Sequence, residues 1–255
     1  MLRRWVLPLA AVPLVAAVIW AAAAEPRPAP VAGEASLRVL TYNVQQGYSA
    51  DGKRNFQEQI EVIRRLNPDL VGLQETDTAR FAGGNAVLVR FFAEALGMYS
   101  YYGPRSVTGT FGIALLSRYP IRNPQTFFMY SLGEQTAAIL AEIEVNGATY
   151  HVLVTHLGNG GPVIQQEQVL QRLQGVPNVI VMGDFNFDLA SPQYALTRQS
   201  LEDAWELAGS PDAQGLNLDH LIDHIFVSPG VQVGSARYIV SPASDPPALF
   251  AEIMP

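Results

Sequence analysis

The chain has 255 residues, 49% hydrophobic and 15% charged, enough apolar material for one large core or two small ones and too much for a disordered protein. It has no cysteine, which excludes disulfides, thiolate metal sites and a cysteine nucleophile. Net charge is −7, and once Arg3 and Arg4 are set aside 14 basic residues face 23 acidic ones, giving −9 with Lys53 as the single lysine, so stable nucleic-acid binding is not expected.

Arg3 and Arg4 precede an apolar run from Trp5 to Ala24, which ends in Ala22-Ala-Ala24 before Glu25. A basic start, about 20 apolar residues and a small-residue end describe either a cleaved signal peptide or a retained membrane anchor. Under both readings residues 1–24 are an address, and the remainder is exported to the far side of the membrane. Residues 25–35, with three prolines, read as an extended linker. No second composition break follows, so residues 36–255 are predicted to form one catalytic domain, expected to act as a monomer.

Leu37 to Asn43 alternates as a strand does, and Val44 to Arg54 reads as a loop. Asn55 to Leu66 places Ile60, Ile63 and Leu66 at helical spacing. Asp69 to Glu75 is a second strand, and Gly84 to Leu96 a helix with Val87, Phe91 and Ala95 on its apolar face. A Tyr-rich stretch, Tyr99 to Tyr102, leads into a loop before the strand Phe111 to Ser117. Phe127-Phe-Met-Tyr130 reads as a buried strand or as an exposed apolar lip. Strands from Thr136 to Val145 and Thr149 to Thr155 flank Asn146-Gly147, the strongest short hairpin signal. A helix from Pro162 to Leu173 precedes the strand Val179 to Met182. Short helices at Ser191–Thr197 and Asp203–Leu207 follow, then strands at Leu221–Val227, Val231–Val240 and Ala248–Ile253. Strands and helices without a strict alternating rhythm, plus hairpins, argue an α+β fold of mainly antiparallel sheets packed face to face with helices outside.

Polar residues gather at the strand ends: Asn43, Glu75, His156, Asp184, Asn186, Asp223 and Asp245. Val179-Ile-Val-Met-Gly-Asp-Phe-Asn186 is the densest case. If its extended backbone continues past Gly183, Asp184 and Asn186 point to the same side; the plainer account is a strand closed by an Asp/Asn turn. Singly, each of the seven has an ordinary explanation as a solvated turn residue. Jointly, carboxylate and amide oxygens suit a hard cation such as Mg²⁺ or Mn²⁺. A histidine with aspartate partners suits proton transfer, and asparagine is a neutral donor to a developing oxyanion. That set fits metal-assisted hydrolysis of a phosphoester by water.

The ordered pieces Thr41-Tyr-Asn43, Gly72-Leu-Gln-Glu75, Gly112-Ile-Ala-Leu-Leu-Ser117, Thr155-His-Leu157, Gly183-Asp-Phe-Asn186, Ile222-Asp-His-Ile-Phe226 and Ser244-Asp245 resemble the endonuclease/exonuclease/phosphatase (deoxyribonuclease I-like) superfamily. The resemblance implies a four-layer αββα sandwich with its site at one edge of the two sheets. It implies Asn43 and Glu75 as the main Mg²⁺ ligands, with Asp245 near the metal. His156 would contact the scissile phosphate, Asp184 would orient or deprotonate the attacking water, Asn186 would hold a phosphoryl oxygen, and Asp223 would brace a histidine. The stretches Tyr42-Asn-Val-Gln-Gln-Gly47, Tyr101-Tyr-Gly-Pro104 and Gly109 to Ile121 resemble more narrowly the C-terminal domain of membrane proteins that remodel the lipid of GPI anchors, the PGAP2-interacting protein type. A lipid or small phosphodiester is the substrate this implies.

The pattern breaks at one position. The superfamily reads Ser-Asp-His near its C-terminus, and here the stretch is Ser244-Asp-Pro-Pro247. Proline carries no side-chain proton and no backbone N–H. His220 and His224 are the nearest substitutes in sequence, but alternation turns His224 away from Asp223. Three functions fit: an exported metal-dependent phosphodiesterase with weakened chemistry, a pseudoenzyme that binds metal or a phosphorylated ligand, and a nuclease. The acidic balance counts against the last.

Overall fold

The computed structural model describes residues 36–76, 88–103, 112–211 and 216–254. The leader and linker, the start of the helix expected from Gly84, Phe111 and the Arg105–Thr110 loop lie outside the described residues. Two six-stranded sheets carry the architecture. The first comprises β1 (Leu37–Asn43), β2 (Leu70–Gln74), β3 (Tyr99–Gly103), β4 (Ile113–Ser117), β11 (Gln232–Ser241) and β12 (Ser244–Met254), in the order β11-β12-β1-β2-β4-β3. The second comprises β5 (Ile121–Phe128), β6 (Ala137–Val145), β7 (Ala148–His156), β8 (Val179–Asp184), β9 (Glu202–Asp203) and β10 (Asp223–Val227), in the order β5-β6-β7-β8-β10-β9. Each sheet is antiparallel except for one central parallel pair, β1 with β2 and β7 with β8.

Three apolar layers follow from the period-2 alternation of the strands. Val39, Leu70, Leu115, Ile139, Val154, Ile180, Met182 and Ile225 fill the space between the sheets. Leu40, Val71 and Leu73 face outward onto α1 (Phe56–Leu66) and α2 (Leu88–Leu96). Leu153, Val181 and Phe226 face outward onto α3 (Val163–Leu173) and α4 (Pro192–Thr197). The result is the expected four-layer αββα sandwich, with a one-turn helix α5 (Ala204–Leu207) beside β10.

The punctuation signals acted as chemistry requires. Asn55 caps α1 by accepting the Glu58 N–H at 3.2 Å, and Asn67 ends that helix in the left-handed conformation. Asn146 and Gly147 both take positive φ in the two-residue β6–β7 turn. Two expectations were not met. The inward face of α2 is Leu88, Val89, Phe92 and Ala93, while Phe91 is exposed. Apolar residues cover most of that helix, so its contact with the sheet, rather than its periodicity, selects the buried face. The Tyr-rich stretch is itself strand β3, an edge strand whose tyrosines remain half exposed.

Candidate functional site

The alternation that builds the inter-sheet core also aims the site. Asn43 continues the inward set of β1 (Val39, Thr41), His156 that of β7 (Val152, Val154), and Asp184 that of β8 (Ile180, Met182). Because β1 with β2 and β7 with β8 are parallel pairs, all four strands deliver their C-terminal ends to the same edge. His156 and Asp184 are register partners, and so are Asp184 and Asp223 across the antiparallel β8–β10 pair. Glu75, one residue past β2, has φ 51°, a strained setting that turns its carboxylate toward Asn43.

Close backbone approach requires Gly183 in the Gly-Asp-Phe-Asn segment. A Cβ there would lie 2.1 Å from the Thr155 carbonyl oxygen on β7. Immediately after it, β8 ends at Asp184, and Asn186 has φ 52°. The Asn186 N–H donates to Asp184 Oδ1 at 3.0 Å, and its side-chain Nδ2 donates to the Leu157 carbonyl at 2.9 Å. The turn, rather than continued extension, therefore brings Asn186 to the side occupied by Asp184.

Asn43 Nδ2 donates to Glu75 Oε1 at 2.9 Å and to Asp184 Oδ2 at 3.1 Å, while Asn43 Oδ1 accepts the Gln45 N–H at 3.0 Å. His156 Nε2 lies 3.7 Å from the same Asp184 oxygen. Asn43, Glu75, His156, Asp184 and Asn186 line one cleft of about 560 Å³. No lysine or arginine among the described residues lines it. Among the described residues no set of three or more His, Cys, Asp or Glu side chains is arranged as a metal cage. The arrangement nevertheless fits a hard cation. Two carboxylate oxygens converge on one amide, the donors are all oxygen, and Mg²⁺ takes only one or two carboxylates and keeps several waters. A cation between the carboxylates requires the Asn43 carboxamide to turn and present its oxygen.

Two expected site residues stand apart from the cleft. Asp223 is buried at 1% exposure behind Asp184, and its Oδ1 has no hydrogen-bond partner among the described residues. Burial pushes its carboxyl well above the usual carboxylate range, and the negative charges of Asp184 and then Glu75 push it further. Asp245 is exposed and does not line the cleft; its backbone N–H donates to Gln45 Oε1 at 3.1 Å. Neither candidate substitute for the absent histidine reaches the cleft. His224 is fully buried on the outer face, where it stacks on Phe187, with Nε2 2.9 Å from the Phe187 carbonyl. His220 is exposed at the end of a 3₁₀ turn.

Of the opposite wall of the cleft, sequence reasoning offered only Tyr130, at the end of the run read as a buried strand or an exposed apolar lip, and missed the rest. Tyr130, Leu132, Pro162 and Ile164 form the wall, with Gln165 beneath. The sequence signal available was the Phe127–Tyr130 run: it is an edge strand and its continuation, with Met129 buried but Phe128 and Tyr130 exposed.

The sequence profile described as the PGAP2IP C-terminal nuclease-like domain matches residues 34–184. Protein cwh43 of Schizosaccharomyces pombe is 31% identical over 189 residues, which is 72% of this chain but only 19% of the yeast protein, so the chain spans about a fifth of that relative. Among solved structures, the human Nocturnin catalytic domain shares 20% identity at a TM-score of 0.65, covering 86% of this chain and 94% of that one. The mannosyl-6-phosphatase of Bacteroides thetaiotaomicron shares 19% at 0.67, covering 86% and 100%. An endonuclease/exonuclease/phosphatase protein of Beutenbergia cavernae shares 19% at 0.67, covering 87% and 72%. At these identities the solved structures establish the fold. From the profile, the yeast relative and the αββα sandwich together, the chain belongs to the PGAP2IP C-terminal nuclease-like family of the endonuclease/exonuclease/phosphatase superfamily.

Proposed function

We propose that this chain is a divalent-metal-dependent phosphoesterase that hydrolyses a lipid or other small phosphodiester, exported or anchored at a membrane and serving GPI-like lipid-anchor metabolism. The observation that carries the reading is the convergence of Asn43, Glu75, His156, Asp184 and Asn186 on one cleft. Asn43 and Glu75, with Asp184 adjacent, would hold Mg²⁺ or Mn²⁺, and that ion would supply charge neutralisation at the phosphoryl oxygens. The chain's own groups do the rest. Asp184 has Oδ1 fixed by the Asn186 N–H, which leaves Oδ2 facing Asn43 and His156 as the acceptor for the proton of an attacking water. His156 and the free N–H of the Asn186 carboxamide are placed to donate to phosphoryl oxygens, where charge builds.

Pro246 favours a second reading, a binding protein whose hydrolysis is crippled. The residue that would brace the family's histidine, Asp223, is buried with its Oδ1 unpartnered among the described residues. A generic aryl phosphodiester assayed with Mg²⁺ for the parent and Pro246→His separates the two. A positioned acid/base group is worth about 10²–10⁴ in rate. A feeble parent and a variant gaining on that scale support a phosphoesterase lacking one group. Absence of turnover in both, across several metals and phosphodiesters, overturns the enzymatic reading.

A further inference from the structure

We infer that the apolar wall of the cleft is a lip that inserts into the hydrocarbon of a lipid bilayer and so places the cleft at the membrane surface; the lipid phosphodiester it would serve there rests on the function proposed above. Leu132 is 88% exposed and Tyr130 57%, on the segment between β5 and β6. Val163 and Ile164, in the first turn of α3, are 43% and 45% exposed. Scattered apolar exposure is ordinary, but exposed apolar groups gathered at a cleft mouth call for a partner.

The exposure is built into a fixed frame. The Tyr130 N–H donates to Gln168 Oε1 at 2.8 Å, and the Tyr130 carbonyl accepts from Gln165 Nε2 at 2.9 Å. Gln165 is buried, and its Oε1 accepts the Gly158 N–H at 2.8 Å. Ser131 Oγ donates to the Met129 carbonyl at 3.0 Å, while the Met129 N–H closes onto the Thr136 carbonyl at 3.1 Å. The segment is thus tied down at both ends and along its backbone, and still presents Tyr130 and Leu132 outward.

Three observations select hydrocarbon as the occupant. Tyr130, Leu132 and Ile164 are continuous with the cleft that holds His156 and Asp184, so a chain leaving a phosphoester in that cleft runs along them. Among the described residues no lysine or arginine lines the cleft, and the chain as a whole is acidic, which disfavours a polyanion as the occupant. The sequence carries the apolar run Trp5 to Ala24, about the span of a bilayer's hydrocarbon, followed by 25–35. Fully extended, those eleven residues reach roughly 35 Å. That exceeds the roughly 23 Å length of a seven-residue strand such as β1, which separates Leu37 from the cleft edge.

The absence of native cysteine makes a clean test possible. Full-length Leu132→Cys and, as a control, Val240→Cys, a residue 78% exposed on edge strand β11, are each labelled with an environment-sensitive nitrobenzoxadiazole dye and added to phosphatidylcholine vesicles. Emission at position 132 is expected to rise about twofold or more as the dye leaves water, with no rise at 240. Ile164→Asp in the Leu132→Cys background should weaken insertion about tenfold, the value of burying one such side chain. Equal responses at 132 and 240, or none at 132, overturn the inference. So does a rise at 132 on concentrating the protein without vesicles, which would make the occupant a second copy. Insertion without turnover of a soluble phosphodiester upholds the lip and removes the phosphoesterase reading; turnover without insertion does the reverse.

Discussion

Asp223→Asn isolates a buried carboxyl that, among the described residues, leaves one oxygen unpaired. Asp223 opens β10 opposite Asp184, is 1% exposed, and leaves Oδ1 without a donor. Desolvation, then the charges of Asp184 and Glu75, raise its folded-state pKa well above the usual 3.8. The sign follows from linkage. The folded state holds a proton that the unfolded chain releases near that usual value, so stability is fully present below it and is lost as pH rises toward the raised folded value. Asparagine is neutral at every pH and supplies an N–H₂ donor. The variant should therefore be more stable than the parent at pH 8, with the difference shrinking on acidification and gone near pH 4. An unsatisfied buried group costs about 1–3 kcal/mol. At about 2–4 °C per kcal/mol for a domain of this size, the gain in Tm is roughly 2–12 °C. Thermal melts of both proteins from pH 4 to 8, in chelator and at fixed ionic strength, read this directly. A destabilised variant at pH 8, or a difference that ignores pH, refutes the reasoning.

Two further predictions concern the cleft. Saturating Mg²⁺ should raise the parent's Tm, since a ligand at 100 times its Kd contributes about 2.7 kcal/mol; Glu75→Ala should abolish the rise, and an undiminished rise in the variant would remove Glu75 from the metal site. Gly183→Ala forces a Cβ to within 2.1 Å of the Thr155 carbonyl and must part β7 from β8. Because His156 and Asp184 are the next register pair, the variant should lose most of its activity and at least about 3 kcal/mol of stability, and a near-native melt with full turnover would contradict it.

The sandwich was readable because alternation survives in the central strands: Leu37 to Asn43 and Val179 to Met182 lie in strands at the predicted places, and Asn55, Asn146-Gly147 and Ser191 punctuate as their side chains dictate. Legibility failed where burial, not pattern, decides. The inward face of α2 and the strand character of Tyr99–Tyr102 are set by contacts with distant parts of the chain. Sequence placed polar residues at the right strand ends, but strand parity cannot give depth. Asp184 and Asp223 look equivalent as text, yet one lines the cleft and the other sits behind it. Beyond Tyr130, the apolar wall was illegible for a different reason. Leu132 and Ile164 lie 32 residues apart and line one cleft, where Gln165 and Gln168 hold the Tyr130 backbone against α3.

The superfamily resemblance would make Pro246 and Asp223 two halves of one missing interaction. The hydrogen bonds that set the cleft run among Asn43, Glu75, Asp184 and Asn186, and β12 is tied to β1 by the Ser244 hydroxyl donating to the Asn43 carbonyl at 2.7 Å. A proline where the superfamily carries histidine would therefore cost a proton carrier while Asn43, Glu75 and Asp184 keep these bonds. Asp223 carries the other half: burial first, then the charges of Asp184 and Glu75, favour its protonated form. A double-mutant cycle tests whether the two sites are coupled in this way. In the parent, Asp223→Asn should stabilise at pH 8. In the Pro246→His background the same change should destabilise and lower the recovered rate, because the carboxylate then has an imidazolium to hold. Asp223→Asn effects of the same sign in both backgrounds would mean that a side chain at 246 does not reach Asp223. Pro246 would then not be what weakens the site.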